Sequence, residues 1–310
     1  MVLVSKTLQK LINALLSIFG SLVLVFCIIY MLPGDPVLSM LDPNTATPEA
    51  IENLRKELGL DQPFYVQFAD YFKNLLQGDF GQSRITSEPV LQKIIVHLPA
   101  TLLLTLTSMV LSVVIGVTFG VISAIYHNKW VDVIIRIIAL FGISMPTFWS
   151  GILLILLFGV QLNWLPIMGS EGWKTLIMPS LALGLVGAGF IIRMVRNSMV
   201  EVMDEQFILT LRAKGISERI VMFRHALRNA LIPAITVMGL HIGELLAGTV
   251  VIETVFSRQG IGRVIGDAIM VKDMPVIQGV ILFSAIVYVT VNVLVDLSYS
   301  LVDPRIRRAH

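Results

Sequence analysis

His241 and Glu244 stand three residues apart inside the apolar stretch from Leu231 to Phe256. On a helix that spacing puts imidazole and carboxylate on one face, one turn beyond Met238. Ionisable groups at membrane depth are costly and usually line a cavity or a pathway. Imidazole and carboxylate are suitable ligands for Ni(II), so His241 and Glu244 are candidate metal ligands for an ion or a chelate in passage. The competing reading is a hydrogen bond between the two, or from one of them to a neighbouring helix. The fourteen methionines read mostly as packing, since the thioether fills gaps between helices and is a soft ligand poorly matched to Ni(II).

A second set of residues precedes that stretch. Leu209-Thr210-Leu211-Arg212-Ala213-Lys214-Gly215 and His225-Ala226-Leu227-Arg228-Asn229-Ala230-Leu231-Ile232-Pro233 form a charged helical hairpin, from about Glu201 to Asn229, between two strongly hydrophobic stretches. Gly215 is placed as the C-cap between its halves. Ile220, Val221, Phe223 and Leu227 give the second half an apolar edge that reads as exposed. A short helix with such an edge, held away from a bilayer, needs a groove to occupy, which points to a docked partner.

The elements that must position these groups are set by composition. With 55% hydrophobic and 14% charged residues and a mean hydropathy of +0.83, the chain lies far from soluble globular proteins. A net charge of +2 argues against nucleic acid as a partner, because such binders cluster basic residues to neutralise phosphates. The single cysteine, Cys27, lies in the first apolar segment and forms no internal disulfide. There is no G-x-x-x-x-G-K-[ST] loop, no Cys/His spacing for zinc and no G-x-S-x-G elbow, so no enzyme active site is expected.

Six windows are long enough to cross the hydrocarbon core: Leu11 to Leu32, Ala100 to Tyr126, Val133 to Leu162, Leu176 to Val195, Leu231 to Phe256 and Pro275 to Leu301. The third is interrupted at Ser144-Met145-Pro146, where a kink or unwound turn is expected. Lysine and arginine gather on one side if the helices alternate, which places both termini and the hairpin in the cytoplasm. Residues 33–99 fall outside and read as helical. Thr47 is placed to cap a helix that starts at Pro48 and ends at Gly59, and a second helix follows Pro63 with the stripe Phe64, Phe68, Tyr71, Phe72, Leu75 and Leu76. These two helices either cap the bundle or help to receive an external partner. The expected division is 1–32 for the N-terminus and first helix, 33–99 for the outer insertion, 100–302 for the core and 303–310 for a cytoplasmic tail.

The hairpin resembles the EAA-type coupling loop of ABC importer permeases, and more narrowly that of the peptide and nickel uptake permeases, with R-A-K-G followed by H-x-L-R-N-A-L-x-P. The likeness extends in order through Pro33-Gly34-Asp35-Pro36, Leu58-Gly59-Leu60-Asp61-Gln62-Pro63, Gly78-Asp79-Phe80-Gly81, Arg193 to Met199, Val251 to Phe256, Gly260-Ile261-Gly262, Pro275-Val276-Ile277-Gln278 and Asp303-Pro304-Arg305. It is nearest to the B-type chain of each heteromeric pair. The Glu-Ala-Ala triplet itself is replaced by Leu209-Thr210-Leu211.

The resemblance implies an all-α membrane protein of six transmembrane helices, a type I ABC importer bundle with a helical insertion between helices one and two, in a bacterial cell membrane. It implies a second permease chain of C type, two cytoplasmic ATPases that hold ATP and Mg, and an external binding protein, with no cofactor on this chain. Arg212, Ala213, Lys214, Gly215, His225, Leu227, Arg228 and Asn229 would mark the coupling element, and Glu253 would lie close to the pathway or form a structural ion pair. His241-Ile242-Gly243-Glu244 looks like the nickel permeases, and so does the short loop Asn163 to Gly169. The expectation is therefore a nickel importer permease, then a dipeptide or oligopeptide permease of the same architecture. A stand-alone channel or ion-driven carrier is the third reading, disfavoured by the hairpin and by the lack of an inverted repeat.

Overall fold

The computed structural model describes the backbone of residues 2–31, 37, 47–57 and 59–302; the side chains of 2–8, 10, 11, 29, 235–240, 242 and 294–302 lie outside the description. Among the described residues the protein is helical throughout, with one isolated bridge between Gln82 and Pro89. The helices are α1 (Val2–Met31), α2 (Pro48–Glu57), α3 (Phe64–Leu76), α4 (Val90–Ile125), α5 (Trp130–Ser144), α6 (Thr147–Leu154), α7 (Lys174–Met203), α8 (Gln206–Ala213), α9 (Glu218–Ile220), α10 (Leu227–Val255), α11 (Ile261–Met270) and α12 (Met274–Val302). Wider π turns extend α6 over Ile155–Gln161 and join α9 to α10 over Val221–Ala226.

The chain is an all-α membrane protein. Among the described residues α4, α7 and the Met274–Val293 part of α12 are long and apolar enough to cross a bilayer, and α5 with the α6 segment makes a fourth, bent span. α1 and α10 coincide with the other two expected windows; the described part of α1 contributes a shorter apolar helix, Ile12–Ile28. α4 starts ten residues before the expected Ala100, running straight through Pro99.

One compact unit comprises Met1–Pro99 and Gln259–Thr290. In it, α2 begins as expected, with the Ala50 N–H donating to Thr47 Oγ1 at 3.2 Å, and Gly59 takes the left-handed φ of +64° beyond its end. The aromatic stripe of α3 is spent inside the unit. Tyr30 meets Phe64 at 4.9 Å between ring centroids, Phe26 meets Phe68 at 5.2 Å and Phe19 meets Phe72 at 6.1 Å. Partners descend α3 as they descend toward the start of α1, so the two helices run antiparallel, and the edge-to-face geometry is the favoured one for such pairs. Leu76 lies off this stripe, strongly exposed. Before α4, Ser83 Oγ and the Arg84 N–H donate to the two carboxylate oxygens of buried Asp273, at 2.5 and 3.1 Å, tying that loop to the turn that opens α12.

The other unit comprises Ala100–Arg258 and Val291–His310. Here α7 is the central rod, buried against α4, α5 and α10. Small residues allow the close approach: a Cβ on Gly116 would stand 2.5 Å from Ile191 Cβ, and one on Gly189 would stand 2.6 Å from the Ala139 carbonyl oxygen. The expected interruption of the third span is larger than a kink. Met145 is extended, Pro146 lacks the N–H to continue the ladder, and α5 and the α6 segment meet at 108°.

Candidate functional site

The hairpin is built around Gly215. Its φ of +76° lets the chain turn left-handed at the end of α8, where the Gly215 N–H reaches Arg212 O at 2.9 Å and the Ile216 N–H reaches Leu211 O at 3.2 Å. This bond pair satisfies carbonyls that a helix end otherwise leaves open. Across the turn Arg212 grips Glu218 with two hydrogen bonds, 3.1 Å from Nε and 2.6 Å from Nη2. The hydrogen bonds and charge of Arg212 hold the Glu218 carboxyl below the usual glutamate range. Asn229 Nδ2 closes the far side on His225 O at 2.9 Å.

Each half has a buried and an exposed side. Ile208, Val221 and Ala226 are fully buried against Val121, Val195 and Met199, with Leu211, Ile216 and Leu227 packed beside them. Val221 therefore does not belong to the outward edge expected of it. On an ordinary helix residues two apart, such as Val221 and Phe223, already point about 200° apart, and the π turn over Val221–Ala226 changes the period so that Leu227 beyond it is half-buried. What faces out is apolar all the same: Phe207, Leu209, Ile220 and Phe223, with Arg219 and Arg224 beside Ile220 and Phe223 around a shallow groove. Arg212, Ala213, Lys214, Gly215, Arg228 and Asn229 are exposed, and His225 is half-buried.

On α10, His241 Nδ1 and Glu244 Oε2 are 2.6 Å apart, and the imidazole lies 4.8 Å from the Phe190 ring on α7. The imidazole is nearly covered, with 13% of the side chain exposed, whereas the carboxylate is 70% exposed. The side chain of Met238 lies outside the described residues. Among the described residues no group of three or more His, Cys, Asp or Glu converges, so the pair offers two donors. Glu253 is placed differently. It is fully buried, accepts a hydrogen bond from Thr101 Oγ1 at 2.7 Å, and binds α10 to α4. Buried Arg258 lies just beyond it, its N–H bonded to Glu253 O at 2.8 Å.

The model of the family described as binding-protein-dependent transport system inner membrane component matches residues 116–308, and the model of its N-terminal part matches residues 3–105. The chain belongs to this family of transport permeases. The permease is 43% identical over 305 residues to the glutathione transport system permease protein GsiC of Escherichia coli (strain K12), covering 98% of this chain and 99% of that one. The protein of the same description from Shigella flexneri serotype 5b (strain 8401) is 42% identical over the same length. Among solved structures, an inward-facing MetNI methionine ABC transporter chain superposes with a TM-score of 0.59 at 19% identity, over 70% of this chain and all of that one. That likeness shows the fold, the type I ABC importer bundle. As a permease subunit of an ABC importer it is a transport protein, not an enzyme, and its family works with an ATPase and a substrate-binding protein.

Sequence reasoning missed a densely bonded acid, Asp132. Asp132, in the first turn of α5, is fully buried and accepts hydrogen bonds from Ser123 Oγ at 2.7 Å, the Asn128 N–H at 3.1 Å, and Arg196 Nε and Nη2 at 3.1 and 2.9 Å. Arg136 Nε stands 3.4 Å away, and His127 Nδ1 lies 3.0 Å from Arg196 Nη2. A carboxylate inside an apolar helix was itself the signal, because such a group demands a partner.

Proposed function

We propose that this chain forms half of the translocation pathway of an ABC importer for small peptides of the glutathione class. The observation that carries this is the His241–Glu244 pair. A carboxylate so exposed in the middle of an apolar helix cannot face lipid, so it faces either the pathway or a second permease chain packed around it. Turned to the pathway and steadied by an imidazole, it suits the ammonium end of a short peptide. Among the described residues the pair offers two donors, where a nickel ion ordinarily takes about four to six, and the relatives at 43% identity carry the name of a glutathione system.

Nickel remains the second reading, favoured by the ligand chemistry of the pair, with the remaining donors supplied by a chelator. In either case Arg212 to Gly215 and His225 to Asn229 form the coupling element, with Phe207, Leu209, Ile220 and Phe223 seated in a groove of a cytoplasmic ATPase. A C-type permease chain completes the bundle, an external binding protein delivers substrate, and both termini face the cytoplasm. ATP binding would close the ATPases and swing the bundle between its two openings.

The test is uptake of labelled glutathione, of a labelled dipeptide and of radioactive nickel by cells carrying the complete transporter, with and without His241→Ala plus Glu244→Gln. Peptide uptake that falls in the double variant, with no nickel accumulation in either strain, is expected. Nickel accumulation lost in the double variant would replace this reading by the second.

A further inference from the structure

We propose that the Asp132–Arg196 pair is the joint that forces α5 to move with the coupling hairpin, so that displacement of the hairpin reaches the break at Met145–Pro146. The inference rests on the coupling role proposed above. One turn of α7 carries two grips. Val195 and Met199 are buried against Ile208, Val221 and Ala226 of the hairpin, while Arg196, between them, reaches sideways to Asp132 on α5. What moves the hairpin therefore moves this turn, and what moves this turn pulls on α5.

The form of the contact suits a joint better than a stabiliser. A buried ion pair gains little stability over an apolar replacement of the same volume, because both charges must leave water. Its distinct contribution is direction: the Arg196 fork binds both Asp132 oxygens and fixes angle and register, which the neighbouring apolar cluster of Ile135, Ala139 and Ile192 does not. Ser123 Oγ and the Asn128 N–H hold the carboxylate from the α4 side, so it cannot turn to follow Arg196 alone. Farther along, the Gly189 contact with the Ala139 carbonyl keeps α5 on α7 up to the region of the break. α5 is one unbroken helix of 15 residues from the joint to the break. At 1.5 Å per residue it is a rod of about 20 Å that runs along α7 from Asp132 to the break where α6 begins.

The complete transporter, with its second permease chain, ATPases and binding protein, is reconstituted in liposomes, and ATP hydrolysis is measured with and without the binding protein, alongside uptake of labelled glutathione and nickel. Asp132→Asn and Arg196→Gln are expected to leave basal hydrolysis within about twofold of wild type while stimulation by the binding protein, and uptake per ATP, fall at least tenfold. A merely structural pair would lower the amount of assembled transporter and every rate together. An unchanged stimulation ratio in assembled complexes overturns the proposal. Should Asp132→Asn fail to assemble, Ser123→Ala decides, since it removes one neutral donor and leaves both charges: a ratio reduced about fivefold supports the joint and an unchanged ratio overturns it. Stimulation by the binding protein is read independently of which labelled probe is carried, so a wild-type transporter that takes up neither probe counts against the proposed substrate alone.

Discussion

Replacing Gly189 by alanine sets two effects of known size against each other. A Cβ built there stands 2.6 Å from the Ala139 carbonyl oxygen and 2.7 Å from Ile143 Cγ1, when real Cβ contacts stay beyond 3.0 Å, so α5 must withdraw by at least about 0.4 Å. The obstacle is backbone, which no rotamer change moves aside, and overpacking of a close-packed interior costs about 1–3 kcal/mol. Alanine in a helix regains up to about 1 kcal/mol over glycine, leaving a net loss on the order of 1 kcal/mol. For 310 residues that corresponds to a fall of about 1.5 °C in Tm. Gly248→Ala is the internal comparison, because its Cβ would meet only the end of the Leu183 side chain, at 2.7 Å, which can rotate away. The assay is thermal unfolding of the purified permease in one detergent, with wild type and both variants side by side. A Tm for Gly189→Ala equal to or above that of Gly248→Ala would refute the idea that the α5–α7 spacing is set by backbone contact.

Two further outcomes follow from the hairpin. Gly215→Val has open space around its side chain but must hold a φ of +76°, a strain of about 1–2 kcal/mol; the expected result is normal membrane abundance with reduced uptake, and normal uptake and ATPase coupling would sink the assignment. The Arg212–Glu218 pair lowers the Glu218 pKa, so its contribution is complete above the usual glutamate value of 4.5 and is lost as pH falls through the depressed folded value. The Tm difference between wild type and Arg212→Gln should therefore be small, because the pair is solvent-screened, constant between about pH 6 and 8, and shrinking only in acid; a difference that disappears near neutrality would contradict the assignment.

The chain announces what depends on local pattern. Apolar windows gave the helices, Thr47-Pro48 gave the start of α2, Gly215 gave the turn of the hairpin, and Pro146 gave the break, though not its angle, since a proline dictates a missing bond and the packing of α6 decides the direction. Val221 and Phe223 are two residues apart and cannot share a helical edge, and Leu227 leaves the edge of Ile220 and Phe223 because a π turn that no residue type marks lies between them. Asp132 was overlooked for a different reason. In sequence the demand of its carboxylate for a partner is masked by Arg136 four residues on and by the helix dipole, while the Arg196 fork comes from another helix. The direction faced by Glu244 stays outside the pattern altogether, because a spacing of three residues fixes a shared face and says nothing of what that face meets.

The burial of Asp132 also bears on how the protein is made. Its partner Arg196 lies 64 residues farther along. Arg136 follows on the same helix and stands 3.4 Å from the carboxylate, but at the usual pace of synthesis the Arg196 fork emerges roughly 3–13 s after Asp132. During that interval Ser123, the Asn128 N–H and Arg136 are the partners that α4 and α5 themselves supply. Arrival of α7 then adds the two Arg196 hydrogen bonds, so the full set of partners around Asp132 forms only once α7 has joined α4 and α5.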